Sequence, residues 1–397
     1  MAKKFYCNLK WDMAGINLSD QSIAQCCRTD WLQYDLNKSK EDVINVFNAD
    51  HLIKERQQVL DGVVPSSCKN CVEYEDKGIS IQNDLLNSRQ DREHKSQRQS
   101  QLPPRIDFVL HNFCNLTCVY CGPIFSSSWT KDIKDNGDYE TKTISIKDIV
   151  RNKVSLNDYD SSSSFNILRQ VTQHPDFSTV KKITLLGGEP LINPFITNVV
   201  EDILHNNPTV ELWITTGLGI PEKRFMSVID KLQQIDKRAQ LRINVSVETT
   251  GKHFEFIRHG VTWLDFQRRF EHLVDQFTPK RMSIMTTMFI LAIFDYKNLL
   301  LYIKQLGFDT KQVQFGYLED PEYLSLLSFD PELTTPYIND LVESGLIGED
   351  LTRTLRATQQ QQQSKPELHK DFITYIKDFG QRRNLDINIF PKELINE

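Results

Sequence analysis

The sequence predicts an α/β fold built on a parallel sheet, with a small cysteine-rich α+β segment ahead of it. Two observations carry that expectation. From Arg105 onward, six strand-like apolar segments alternate with helical ones, the rhythm of a parallel sheet joined by right-handed crossovers. The cysteines are clustered: Cys7, Cys26, Cys27, Cys68 and Cys71 ahead of these segments, then Cys114, Cys118 and Cys121 just after the first of them, and none in the remaining 276 of 397 residues.

The candidate strands are 106–111, 182–186, 210–215, 241–247, 282–290 and 312–317, with helices expected over 194–204, 221–235 and 296–306. On this reading residues 1–87 are the cysteine-rich segment and 88–104 a polar connector ending in Pro-Pro. Residues 105–329 are the sheet and its helices, and 330–397 a mostly helical extension. In the first segment, 17–27 reads as a hairpin turning at Ser19-Asp20-Gln21, followed by a helical stretch over 40–62. Residues 157–164 read as a surface loop, the glutamine run 359–363 as a solvated helix end or flexible loop, and 390–394 as an apolar latch onto the sheet domain.

Composition narrows the function. Hydrophobic residues at 39% and charged residues at 25% are a globular balance. A net charge of -6 offers no footprint for nucleic acid. No segment approaches the ~20 apolar residues of a membrane span, and the amino terminus has no apolar signal region. The expected location is the cytoplasm, where clustered thiols bind metal or do catalysis rather than form disulfides.

The central motif is Cys114-Asn-Leu-Thr-Cys118-Val-Tyr-Cys121, directly after the first strand. Four thiolates would close a zinc site or fully ligate a cubane. Three can hold three irons of a [4Fe-4S] cluster and leave the fourth open to a ligand. A zinc loop completed by His111 is the alternative for the motif alone. The second motif is Gly187-Gly188-Glu189-Pro190 at the end of the second strand, where glycines let the backbone approach a ligand.

Together these motifs resemble the radical S-adenosylmethionine (radical SAM) superfamily, with Tyr120 as the aromatic of its C-x3-C-x-aromatic-C fingerprint. Ser246-Val-Glu248 and His253-Phe-Glu-Phe-Ile-Arg258-His-Gly260 are similar to further elements of that family. The resemblance implies a partial (β/α)6 TIM-like barrel with a [4Fe-4S] cluster on Cys114, Cys118 and Cys121. It implies S-adenosylmethionine held by Tyr120, Gly187, Gly188, Glu189 (ammonium), Ser246 and Glu248 (ribose) and Arg258 (carboxylate, by bidentate pairing). It also implies a flavodoxin- or ferredoxin-type electron donor. Thr286 and Thr287 are candidates for lining the cavity, whereas His253 and His259 read as structural.

Cys7, Cys26 or Cys27, Cys68 and Cys71 are candidate ligands of a second centre, zinc or iron–sulfur. They resemble the twitch, or shortened SPASM, auxiliary-cluster domain, although Gln21 stands where that pattern has glycine. The register makes Cys26 the ligand. The implied function is a radical enzyme that oxidatively modifies a peptide or protein, with the auxiliary cluster as electron acceptor or substrate ligand. Dehydrogenation of a sugar-like alcohol, or a non-catalytic iron–sulfur or zinc protein, are the alternatives.

Overall fold

The computed structural model describes residues 5–19, 21–26, 28–29, 32–33, 43–80, 101–143 and 161–396, with backbone alone for 32–33, 43 and 161–165. Cys27, the connector stretch 88–100 and residues 157–160 lie outside the described residues.

All six expected barrel strands form. They are β4 (Arg105–Val109), β6 (Lys182–Leu186), β7 (Glu211–Thr216), β8 (Leu241–Ser246), β10 (Met282–Met288) and β11 (Gln314–Tyr317). Three short strands precede them: β1 (Met13–Asn17), β2 (Ser22–Ala24) and β3 (Leu32–Gln33). Together they make one sheet in the order β11-β10-β8-β7-β6-β4-β1-β2-β3, parallel from β11 to β1. A two-stranded ribbon pairs β5 (Thr117–Cys118) with β9 (Arg258–His259).

Alternation positions the lumen. On β10, Met282, Ile284, Thr286 and Met288 are buried while Ser283, Met285 and Thr287 are partly exposed, the mark of one face under helices and one facing the lumen. Helices Ile196–Asn206, Glu222–Ile235 and Tyr296–Gln305 cover the outer face. Glu222–Ile235, for instance, buries Phe225, Val228, Ile229 and Leu232 at the four-residue and three-residue spacing of one helix stripe.

The amino-terminal hairpin is part of this sheet. β1 runs parallel to β4 with Gly15 opposite Asp107, and β2 turns back against it with Asn17 opposite Ser22. The Asn17 Oδ1 accepts the Ser19 N–H at 3.0 Å, and Gln21 takes a positive φ of 60°. A glycine would adopt that conformation without strain. The helical expectation over 40–62 resolves into two helices, Val43–Phe47 and Asp50–Leu60. The far side of the amino-terminal segment reaches the other edge of the barrel. Tyr74 meets Tyr317 of β11 with centroids 6.1 Å apart, and Arg28 pairs with Glu319 at 2.9 Å. The segment thus spans the lateral opening between β4 and β11.

The carboxyl-terminal residues form helices Pro331–Glu343, Glu349–Gln361 and Pro366–Arg383. Phe390 packs edge-on against Phe256 at 5.1 Å and Leu394 is fully buried, so the expected latch is seated. One surface expectation is corrected: residues 161–164 begin a helix, Ser161–Thr172, instead of a loop. The glutamine run is a solvated helix end, as expected, except at Gln362, which is buried and donates to the Leu326 carbonyl at 2.9 Å. No helix among the described residues is long and apolar enough to cross a membrane.

Candidate active site

The cysteine loop leaves the carboxyl end of β4 and is held almost entirely through its backbone. Ser128 donates its hydroxyl to the Cys114 carbonyl at 2.8 Å, and Ser126 to that of Leu116 at 2.6 Å. Ser126 also caps the helix Ser127–Asn136 by accepting the Trp129 N–H. Trp129 in turn donates its indole N–H to the Cys118 carbonyl at 3.0 Å. From the carboxyl-terminal helix, Tyr375 donates to the Val119 carbonyl at 2.5 Å and Arg383 to the Thr117 hydroxyl at 2.9 Å. The Cys114 thiol accepts the Leu116 N–H at 3.4 Å, and Cys114 and Cys118 both lie within reach of the Arg258 charge.

The two motif glycines serve this loop. Gly188 donates its N–H to the His111 carbonyl and Glu189 its N–H to the Phe113 carbonyl, both at 2.7 Å. A Cβ on Gly188 would stand 2.2 Å from the Phe113 oxygen, and one on Gly187 2.5 Å from that of His111. The close approach expected toward a ligand is made toward the cysteine loop itself. Gly187 also has a φ of 136°, disfavoured for other residues.

Glu189 is buried beneath the loop. Its Oε1 accepts from the Thr216 hydroxyl (2.8 Å) and the Leu191 N–H (3.2 Å), and its Oε2 from the Gly217 N–H (3.0 Å). Burial pushes this carboxyl above the usual range, and those three donors and Arg258 oppose the shift.

Arg258 and Glu248 form a buried, bidentate ion pair. Arg258 donates Nε to Glu248 Oε2 and Nη2 to Oε1, each at 2.7 Å. The Tyr120 hydroxyl donates to Glu248 at 2.9 Å and accepts from Arg258 at 2.6 Å. Three residues expected to hold S-adenosylmethionine separately are therefore one closed network. The third guanidinium nitrogen, Nη1, faces Gly217, 2.9 Å from where a Cβ there would stand. The β5–β9 ribbon fixes this arrangement by pairing Cys118 directly with Arg258.

The remaining expectations separate by strand alternation. Ser246 is partly exposed on the lumen face of β8. Thr287 shares the lumen face of β10, but Thr286 is fully buried against Tyr296, with oxygens 3.1 Å apart, and does not line the cavity. His259 meets the Thr117 hydroxyl at 3.0 Å and His253 stands edge-on to Phe390, so both serve packing.

Cys7, Cys26, Cys68 and Cys71 are all buried, within 7% exposure. Burial raises the Cys68 thiol, Lys10 opposes the rise and nearby Cys7 adds to it. The Arg28 N–H points at Cys26 Sγ, 3.3 Å away. Glu319, two residues past β11, accepts from Arg28 through one oxygen and from Asn70, between Cys68 and Cys71, through the other. One carboxylate at the barrel rim thus ties both parts of the amino-terminal cysteine set.

Sequence reasoning did not find Glu319, Thr216, Gly217, Trp129 or Tyr375. Within the Ser126–Trp129 run Ser126 carries a local signal, as a helix cap; the others act through long-range contacts.

The residues fit a cluster by their chemistry. Burial pushes the Cys114 thiol up to about 12 and that of Cys118 well above its ordinary value, each raised further by its neighbouring cysteines. Arg258, paired with Glu248, opposes these shifts without reversing them. Thiolates here need positive charge from a metal centre. Among the described residues no three His, Cys, Asp or Glu side chains converge on a single-ion point; a cluster that takes one thiolate per iron does not require them to.

Residues 108–298 match the model of the radical SAM superfamily. No curated protein matches the sequence. Among solved structures, the chain is similar to anSMEcpe with bound AdoMet at 15% identity, covering 60% of this chain and 59% of that one with a TM-score of 0.36. It is similar to Streptococcus suis SuiB bound to S-adenosylmethionine at 12% identity, covering 88% and 70% with a TM-score of 0.39. It is also similar to SuiB bound to the precursor peptide SuiA at 13% identity, covering 86% and 70% with a TM-score of 0.38. The chain thus spans under two thirds of the length of anSMEcpe.

Proposed function

We propose that this protein is a radical enzyme that oxidatively modifies a peptide or protein substrate, with a second iron–sulfur cluster on Cys7, Cys26, Cys68 and Cys71. The observation that carries the proposal is the joint seating of the Cys114–Cys121 loop on the Gly187-Gly188-Glu189 strand end and the Arg258 ribbon. When bound, the [4Fe-4S] cluster and S-adenosylmethionine supply a reductive C–S cleavage whose 5′-deoxyadenosyl radical takes hydrogen from substrate.

The chain's own residues bind, orient and shield. Cys114, Cys118 and Cys121 would hold the cluster and leave one iron for S-adenosylmethionine. Glu189 would meet the ammonium through its Oε2, which takes one protein donor against two for its Oε1. Arg258 would offer its Nη1 side to the carboxylate while Glu248 and Tyr120 hold the guanidinium still. Ser246 would meet the ribose. Glu248, with both oxygens engaged, serves the sugar less than it serves Arg258.

The second cluster would sit beside β11, at the barrel edge opposite β4, held there through Glu319. With four thiolates it has no open iron, which favours electron acceptance over substrate ligation.

Electron paramagnetic resonance of the anaerobically reconstituted, reduced protein tests both assignments. Two cluster signals are expected, one of which shifts when S-adenosylmethionine is added. Cys114, Cys118 and Cys121 replaced together by Ala should leave only the unshifted signal. A wild-type protein with one signal and bound zinc would refute the second cluster, and a signal indifferent to S-adenosylmethionine would refute the first assignment.

A further inference from the structure

The segment that carries the amino-terminal cysteines also buries a lysine. Lys10 follows Cys7 by three residues, in the short helix Leu9–Asp12, and its side chain is 2% exposed. Its Nζ donates to Glu55 Oε2 at 2.5 Å and to Ser67 Oγ at 3.1 Å. Ser67 donates its hydroxyl to Glu55 Oε1 at 2.7 Å, so the three side chains close on one another. Arg56, buried on the same helix as Glu55, donates Nε to the Lys10 carbonyl at 3.1 Å and pins the backbone there. The ammonium is thus fixed both from the helix Asp50–Leu60 and from the turn Ser66–Cys68.

Packing alone does not ask for this pair. Burying two charges is costly, and apolar side chains of similar volume usually hold such a position as well or better. What the pair supplies is a field at the cysteines. Ser67 adjoins Cys68, with its Oγ 4.0 Å from the Cys68 Sγ. Burial raises the Cys68 thiol; of the charges acting on it, Lys10 is the strongest and favours the thiolate, whereas Glu55 is the weakest and opposes it. The ion pair therefore presents its positive end to the cysteines. Lys69, next to Cys68 in the chain, is exposed, and water and salt screen its charge as they do not screen that of Lys10. Four thiolates make an iron–sulfur cluster net negative, and one added electron makes it more so. A cation buried beside the sulfurs stabilises the reduced form more than the oxidised one.

We infer that Lys10 is a positioning residue for electron transfer: its ammonium, aimed by Glu55 and Ser67, makes the second cluster a better acceptor of the electron left on the substrate radical. The inference rests on the second cluster proposed above. In the step it serves, the substrate radical gives one electron to that cluster and one proton to water. With the hydrogen atom already taken by the 5′-deoxyadenosyl radical, this completes a two-electron oxidation of the substrate.

The anaerobically reconstituted holoenzyme is poised with dithionite and mediators over a series of potentials, and each cluster signal is followed by electron paramagnetic resonance. Lys10→Met, which keeps an unbranched stem and removes the charge, should make reduction of the second cluster about tenfold less favourable, a midpoint about 59 mV lower for one electron. Glu55→Gln, which removes the opposing charge and keeps an acceptor oxygen, should move the midpoint upward by a smaller amount. The signal that shifts with S-adenosylmethionine should keep its midpoint in both variants. A purely structural pair would move the second midpoint the same way in both variants, or in neither. Either result overturns the inference and leaves the second cluster standing. If Lys10→Met loads no second cluster, Glu55→Gln decides: a raised midpoint supports the inference, and one at or below the wild-type value overturns it. A wild-type protein with one signal and bound zinc refutes the second cluster, and the inference with it.

Discussion

Arg258 grips Glu248 through two 2.7 Å hydrogen bonds inside the protein, and the Tyr120 hydroxyl closes the third side. Both charges are almost fully desolvated, with side chains 5% and 1% exposed. Neither tolerates losing the other. Arg258→Ala or Glu248→Ala should each cost about 3–5 kcal/mol by stranding one buried charge, whereas replacing both with apolar residues should cost much less. Urea unfolding of the apoprotein checks this. A double variant no better than either single would contradict the pairing.

Gly188→Ala should unseat the cysteine loop without touching a thiol. The new methyl would stand 2.2 Å from the Phe113 carbonyl oxygen, a backbone atom that cannot swing aside. Iron bound per chain should fall to the level of a protein lacking Cys114, Cys118 and Cys121. Full iron retention in a folded Gly188→Ala variant would show that the loop can reseat.

Tyr375→Phe tests the carboxyl-terminal helix as a brace. It removes the bond to the Val119 carbonyl between two candidate ligands and leaves that oxygen buried. The expected loss is about 1–3 kcal/mol of stability, measured by chemical denaturation.

Glu319→Ala should loosen the amino-terminal segment from the barrel rim by releasing Arg28 and Asn70 together. Limited proteolysis within residues 5–80 should speed up relative to wild type. Glu319→Gln, which keeps an acceptor oxygen, should fall between the two.

His111 predicts an acid sensitivity. Burial lowers its imidazole to about 4 from an ordinary 6.5, and its Nδ1 accepts the Phe113 N–H at 2.9 Å. The unfolded chain therefore takes up a proton first as pH falls. Stability should be complete above pH 6.5 and decline toward pH 4, by about 2 kcal/mol at pH 5 from this residue. His111→Asn should flatten that part of the apoprotein's pH–stability curve.

The six barrel strands were legible because each is a short apolar run bounded by helices, and the segment 182–186 was read to the residue. The site motifs were legible because their chemistry is local: three thiols within eight positions, two glycines before a carboxylate. What the chain hid is what depends on distant partners. β1 is five residues long, and nothing in Met-Ala-Gly-Ile-Asn tells that it pairs with a strand some ninety positions on. Thr286 and Thr287 are chemically alike, and only the pleat sends one to a helix and the other to the lumen. Gln362 reads as solvated in a run of five glutamines, but the Leu326 carbonyl draws it inside. Glu319 has no motif at all, because its role is to meet residues some 250 to 290 positions earlier.

The most direct test of the account is 5′-deoxyadenosine formation. The protein is purified without oxygen, loaded with iron and sulfide, and given S-adenosylmethionine and a strong reductant, beside the variant with Cys114, Cys118 and Cys121 all changed to Ala. The account predicts product from the wild type, alone or with cell extract as a source of substrate, and none from the variant. A wild-type protein with a filled, reducible cluster that yields no 5′-deoxyadenosine under either condition would contradict it.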